Sequence, residues 1–325
     1  METAEKKIEA GEPGAALRSL IGQRCGAMPF ESKTEYDRYC ASNPAVFPGL
    51  WQFEMLISEL AASDRSFGGY CELCEQPARF GFERDADDFI NFREQLACSR
   101  CALIARIRAI FLMLRQLLPD PAARIFITEQ ASTAFAWLRA RYPESIGSEY
   151  FPDQKRPSLQ RALDALLAGP DDGRDDAHND LRFEDVTQLS FESDSLDAIV
   201  SCDVLEHVPD FEQALREFAR TLKPSGVLLL TVPFSNASDE NLLRARLTGD
   251  GSIEHLVEPE YHGDPVNHEG VLAYHSFGWQ LLESVRNAGF GQAYWCRTLS
   301  PRQLLVGQLW TLVACPEPGA CPGSE

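Results

Sequence analysis

Two apolar runs joined by one amphipathic helix constrain the fold of this chain more than any other feature. Leu196-Asp-Ala-Ile-Val-Ser-Cys202 and Gly226-Val-Leu-Leu-Leu-Thr-Val-Pro-Phe234 are nearly continuous in hydrophobic residues, the pattern of strands covered on both faces. Between them Asp210 offers an N-cap, with Gln213 three residues on. Phe211, Ala214, Leu215, Phe218 and Leu222 then share one helical face until Lys223-Pro-Ser-Gly226 ends the helix. The same alternation starts earlier, with an apolar run at Ile125-Phe-Ile-Thr128, a helix over Thr133–Arg141, a short strand around Ile146 and a helix over Ser158–Ala168. A helix over Phe277–Ala288, stopped by Gly289, precedes two strand-like segments, Gln292–Leu299 and Trp310–Cys315. Alternating elements of this kind predict a doubly wound, mostly parallel sheet, and the closing pair of strands predicts an antiparallel edge.

The remainder of the chain bounds its partners. Thirty basic residues against 49 acidic ones give a formal net charge of −19, which repels phosphate backbones and makes nucleic acid an improbable partner. The start, METAEKKIEAGEPG, lacks the apolar core of a signal peptide, so a cytoplasmic protein is expected. The most apolar stretch, Ala102–Leu118, carries Arg106, Arg108 and Arg115, which suits an amphipathic helix and not a membrane span. Residues 1–68 hold short helical patterns, such as Trp51, Met55, Leu56 and Leu60, interrupted by Pro44, Pro48 and Gly49, and are expected to form a helical accessory segment. Residues 169–180 read as a polar, acidic surface loop and residues 317–325 as a disordered tail.

Ten cysteines in a reducing compartment favour metal binding or plain burial over disulfides. Cys71-Glu-Leu-Cys74 and Cys98-Ser-Arg-Cys101 are two C-x2-C pairs separated by 23 residues. Each such turn aims two thiolates at one side, so the two pairs together suit a tetrahedral, structural Zn2+ in a ribbon over residues 69–104. Four reduced cysteines packed as small hydrophobes are the alternative. The other six, among them Cys296 and Cys315, show no partner spacing and are expected to be core or surface thiols.

The run Asp185-Val-Thr-Gln-Leu-Ser-Phe-Glu-Ser-Asp-Ser-Leu-Asp197, continued by Cys202-Asp-Val-Leu-Glu-His-Val208 and Leu222-Lys-Pro-Ser-Gly226, resembles the class I methyltransferases in order and spacing over about forty residues. Outside it, residues 125–150 and 260–279 resemble a bacterial subgroup of that family that also carries an upstream ribbon. The resemblance implies a Rossmann-like methyltransferase domain over residues 105–316, with a seven-stranded sheet and S-adenosyl-L-methionine as cofactor. In open α/β sheets the ligand lies beyond the carboxyl ends of the strands. Glu149, twenty residues after Glu129, then stands where a carboxylate accepts from a ribose diol. Glu184 and Asp185 fall at the adenine end, and Asp203, Val204 and His207 border the sulfonium and the acceptor. A loop-capping role is the alternative for the acids.

One departure is plain. The family carries a glycine-rich turn after its first strand, whereas this chain reads Glu129-Gln-Ala-Ser-Thr-Ala-Phe135. Ala131 and Thr133 occupy glycine positions, where positive φ is costly for them, so the turn must take another path. Glu129, Gln130, Ala131 and Thr133 are expected to hold the cofactor in altered geometry. Methyl transfer from a sulfonium is an in-line displacement, so the protein mainly aligns the reactants. The resemblance places Tyr261-His-Gly-Asp-Pro-Val-Asn267 on the acceptor side, with His262 and Asp264, beside His207, as candidate catalytic residues; an ordered lid held by polar contacts and a second metal site are the alternatives for this segment. The expected acceptor is a small molecule or a glycan. A catalytically inactive, zinc-binding interaction scaffold is the competing function.

Overall fold

The computed structural model describes residues 26–60, 65–85, 89–151, 153–167, 180–263 and 270–318. The expected acidic loop, Asp180 apart, and the tail beyond residue 318 lie outside them, as does Asp264. The described residues separate into two compact units: one holds residues 26–28 with those of Thr34–Ala109 and Arg297–Leu309, the other Pro29–Lys33 with those of Ile110–Cys296 and residues 310–318.

The first unit is built on a three-stranded antiparallel sheet. With β1 at Gly26–Phe30, its strands are β2 (Ser66–Cys71), β3 (Gln76–Gly81) and β4 (Ala97–Cys98). The hairpin β2–β3 pairs Cys71 with Gln76, so the first cysteine pair sits at its turn, and β4 brings Cys98 opposite Phe80.

The second unit contains the parallel strands. β5 (Ile125–Ile127) pairs in parallel with β6 (Ile146–Gly147) on one side and β7 (Leu196–Cys202) on the other, and β7 pairs in parallel with β8 (Leu222–Thr231). Ile125, Phe126, Ile127 and Leu196 through Val200, Asp197 apart, are buried, as two-sided coverage by helices requires. β8 begins four residues before the expected Gly226: Leu222 already pairs with Leu196, and the register then shifts before Ala198 meets Val227. Pro224 has no amide to donate, so the extra residues form an irregularity and the ladder resumes beyond it.

Three pairs of short strands follow: β9 (Leu242–Leu243) with β14 (His275–Ser276), β10 (Ala245–Leu247) with β11 (Ile253–His255), and β12 (Tyr261–His262) with β13 (Val271–Leu272). β15 (Gln292–Leu299) and β16 (Trp310–Cys315) close the order β1-β15-β16-β8-β7-β5-β6, with β16 antiparallel to β8. The sheet is the doubly wound one expected, with two differences. The third parallel strand has shrunk to the single bridge Glu149–Phe183, and the seventh strand is β1, from the segment read as helical. Pro29 in β1 is tolerated because β1 is an edge.

Helices follow the periodicity closely. Thr133–Arg141 is capped by the Ser132 hydroxyl, and Phe211–Thr221 by Asp210, whose Oδ1 accepts from the Gln213 amide at 3.0 Å. The last helix is shorter than expected, Leu281–Asn287, because the amides of Gly278 and Trp279 donate to Asn241 Oδ1 and the Ser238 carbonyl and not to a helical turn. Cys315 is disulfide-bonded, contrary to the reading of the six outlying cysteines as plain thiols. Among the described residues no helix is long and apolar enough to cross a membrane.

Phe218 is fully buried on the Phe211–Thr221 helix. Phe218→Ala should therefore lower the unfolding free energy by about 3–5 kcal/mol. Urea denaturation measures this, and a loss below about 1 kcal/mol would contradict the assigned packing of that helix.

Candidate functional site

A cavity of about 650 Å3 opens at the carboxyl ends of β5, β6 and β7. Thr128 and Ser148 follow β5 and β6 directly; Glu184, Asp185, Val186 and Thr187 come from the reduced third strand; Val204, His207 and Val208 follow β7. The far wall is Leu247 and the segment from Gly270 to Leu272, with Tyr274. The position is the one where the sheet's connections diverge to either side of β5, which leaves strand tips uncovered. Volume and an apolar lining with a few polar groups suit a small organic ligand. Tyr150 and Phe183, both exposed, stand 5.4 Å apart by ring centroids, with Tyr150 on the lining, and offer flat faces to a planar group.

The turn from Glu129 to Phe135 does take another path, since none of its residues has positive φ. Glu149 holds it: one carboxylate oxygen accepts from the amides of Gln130 and Ala131, each at 2.8 Å. Gln130 is buried and bridges onward, donating to the Asp180 carbonyl and accepting from the Arg182 amide. Room for the turn comes from the neighbouring strand. A side chain at Gly147 would meet the Glu129 carbonyl and the Phe135 ring at 2.8 Å.

The sequence candidates divide accordingly. Glu184, Asp185, Val204 and His207 line the cavity, whereas Glu129, Gln130, Ala131, Thr133, Glu149 and Asp203 do not. The Glu184 carboxylate is taken up by Arg182 Nε at 2.7 Å and by the Ser190 amide and hydroxyl. Asp185 gives one oxygen to the Thr187 amide and hydroxyl, leaving the other for a donor in the cavity. Asp203 turns the chain after β7 with φ 52°, and its Oδ1 accepts from the Thr231 hydroxyl at 2.9 Å. Thr128 and Ser148 were overlooked although the strand-tip rule points to them; Leu272 and Tyr274 carry no such local signal.

His207 and His262 come together, ring centroids 4.9 Å apart, beside Glu206. Glu206 is fully buried, and its Oε1 lies 3.5 Å from His262 Nδ1 and 3.8 Å from His207 Nε2. Burial pushes the Glu206 carboxyl above its ordinary range, and the glutamate beside it pushes the His262 imidazole up in turn. His207 Nδ1 lies 2.9 Å from the Leu272 carbonyl. A carbonyl only accepts, so that nitrogen carries a proton, and Nε2 is the nitrogen left facing Glu206. His275 is instead a buried packing residue against Pro209, and its imidazole is held below its usual value by desolvation.

Residues 159–230, which span the strand–helix–strand unit bordering this cavity, match the family model described as a methyltransferase domain. Over that stretch the chain is similar to methyltransferase domains. A curated relative, sterol 24-C-methyltransferase erg6 of Aspergillus fumigatus, is 32% identical over 108 residues, which cover 31% of this chain and 26% of that protein. Similar solved structures include an S-adenosylmethionine dependent methyltransferase of Mesorhizobium loti, at 16% identity and TM-score 0.41, covering 66% of this chain and 99% of that one. Another is the 1,6-didemethyltoxoflavin-N1-methyltransferase of Burkholderia thailandensis, holding S-adenosylhomocysteine, at 18% identity and TM-score 0.40, covering 65% and 78%.

In the first unit, Cys71, Cys74, Cys98 and Cys101 place their sulfurs within 4.8 Å of one another. Glu75 and Ala102, each next after the second cysteine of its pair, both adopt positive φ, so the two knuckles have the same local shape. Arg108 is fully buried facing the sulfurs; it stacks on Phe80 at 4.3 Å and donates to the carbonyls of Leu96 and Gln303.

Glu149 generates a direct prediction. Glu149→Gln keeps an oxygen acceptor for the two turn amides, while Glu149→Ala leaves them unmet, at a cost of about 1–3 kcal/mol. Thermal unfolding should rank wild type, then Gln, then Ala; an alanine variant as stable as the glutamine variant would show that the carboxylate does not hold the turn.

Proposed function

We propose that this chain is an S-adenosyl-L-methionine-dependent methyltransferase acting on a small-molecule acceptor. The cavity at the tips of β5, β6 and β7 carries the reading, because it gathers Ser148, Asp185 and Val204 in one crevice, and Asp185 and Val204 belong to the matched residues 159–230. Asp185 would accept from the adenine amino group, with Tyr150 and Val186 against the base and Ser148 and Thr128 toward the ribose and the methionine end. Glu149 acts at one remove, by fixing the turn that Gln130 and Ala131 form. Bound there, the cofactor supplies an electrophilic methyl group, so no nucleophilic side chain is needed.

The chain's own residues orient the acceptor. Val208, Leu247 and Leu272 offer it an apolar wall, and Tyr274 and His207 the polar groups. His207 stands at that wall with its Nε2 3.8 Å from Glu206. Such a wall fits a compact acceptor with an apolar body better than an extended glycan. The rival reading, an inactive zinc-binding scaffold, draws on Glu149, whose Oε1 is committed to the turn. Titration calorimetry with S-adenosylhomocysteine separates the two. One site per chain is expected, weakened about tenfold or more, ~1.4 kcal/mol, by Asp185→Ala. No heat and no rise in melting temperature at millimolar ligand would end the enzyme reading.

The cysteine quartet is proposed to hold a structural Zn2+. Its sulfurs stand close enough to share one ion, and Arg108 supplies the second argument. A buried guanidinium needs compensating negative charge, which four thiolates around Zn2+ provide and four neutral thiols do not. Elemental analysis should find zinc in the purified chain, and Cys98→Ser should lose it together with the order of the Ser66–Gly81 hairpin. A folded, zinc-free wild-type protein would overturn the assignment.

A further inference from the structure

We infer that Glu206, His207 and His262 form a second metal site, for a divalent first-row transition cation, open toward the cavity. The starting observation is Glu206. It has no exposed surface, and neither carboxylate oxygen has a hydrogen-bond donor. A buried carboxylate left in that condition is unfavourable unless a cation compensates it. Each of the two imidazoles facing it has its outer ring nitrogen engaged elsewhere. His207 gives its Nδ1 proton to the Leu272 carbonyl, and His262 Nε2 donates to Glu260 Oε1 at 3.1 Å. Glu260 is itself fixed, its other oxygen lying 3.0 Å from Arg244. The remaining nitrogens, His207 Nε2 and His262 Nδ1, are the two atoms that approach Glu206 Oε1. A backbone carbonyl behind one histidine and a carboxylate behind the other are the arrangement that orients metal-bound imidazoles.

The dimensions agree. Metal bonds of about 2.0–2.2 Å at tetrahedral angles put neighbouring ligand atoms about 3.4 Å apart. The two glutamate edges measure 3.5 and 3.8 Å, and all three ligand atoms lie within 4.8 Å of one another. Gly270, at φ 79°, lets the strand pair close on His262: a side chain there would meet the His262 carbonyl at 2.7 Å. Two nitrogens and one oxygen favour Zn2+, Mn2+ or Co2+ over Mg2+ or Ca2+. Three protein ligands leave a coordination position vacant, and because His207 lines the cavity, an oxygen of the acceptor could complete the sphere. Only that last use rests on the methyltransferase reading; the metal site itself does not.

Equilibrium dialysis of the purified full chain against micromolar Zn2+, followed by elemental analysis, tests this. Wild type should retain one zinc more per chain than either Glu206→Gln or His262→Ala, whatever the cysteine quartet holds. A second measurement separates a metal site from a protonated histidine–glutamate pair. Without added metal, Glu206→Gln should melt above wild type, having lost an uncompensated buried charge, and zinc should raise the melting temperature of wild type but not of the variant. Equal zinc content in all three proteins, with Glu206→Gln melting below wild type, would overturn the site and leave an ion pair. The calorimetric result with S-adenosylhomocysteine is independent of either outcome.

Discussion

The parallel pairing of β5 with both β6 and β7 is the constraint on which the site depends. Ile125, Phe126 and Ile127 are a three-residue strand held between two neighbours, so the chain must leave all three carboxyl ends on the same side. From there the connections diverge. One runs through the Thr133–Arg141 helix toward β6, while Asp203 bends the chain after β7 the other way, its left-handed conformation anchored to Thr231 by both backbone and side chain. The uncovered ground between is the cavity. Nothing in this geometry requires a glycine-rich turn; it requires only that the turn after β5 stay out of the crevice.

How it stays out is a matter of exchanged space. In the usual arrangement the turn lacks side chains so that the ligand can approach its backbone. Here the turn carries side chains and Phe135 points into the protein, against Gly147 of β6, which has none. The missing atoms have moved from the turn to the neighbouring strand. Glu149, two residues beyond that glycine, then ties down the amides of Gln130 and Ala131, which would otherwise be unmet at a non-helical bend. An acid that spacing alone suggests for a ribose thus serves the turn first.

The legible parts of the chain were those where periodicity and burial agree. Leu196–Cys202, Thr133–Arg141, Gln292–Leu299 and Trp310–Cys315 have the bounds that local pattern assigns them, because each is decided by its own hydrophobic face. Gly26–Phe30 was illegible for the opposite reason. Five residues with a proline alternate only weakly and become a strand through a partner more than 260 residues away, which no local window contains. At the site, acids after strands were easy to nominate, but their partners were not visible. Arg182 and Ser190 claim Glu184, and only three-dimensional placement shows it. The approach of His262 to His207, across 55 positions of sequence, is likewise a product of the strand pair that Gly270 permits.

Glu184 and Glu206 make the most useful comparison in the molecule. Both are buried glutamates near the same cavity, 22 positions apart in sequence. Glu184 collects donors from Arg182 and Ser190 until its charge is fully met, which is what a carboxylate with a structural duty looks like. Glu206 collects none, although it is the more deeply buried of the two. The fold places that deficit where Asp203 adds further negative charge and where one ring nitrogen of each of two imidazoles approaches the carboxylate. A buried carboxylate without a hydrogen-bond partner, with two imidazole nitrogens converging on it, is an arrangement that makes physical sense around a cation, and the same reasoning applies with signs reversed to Arg108, a buried cation facing four sulfurs. In both places the charge of the metal centre we propose would complete the polar accounting inside the protein.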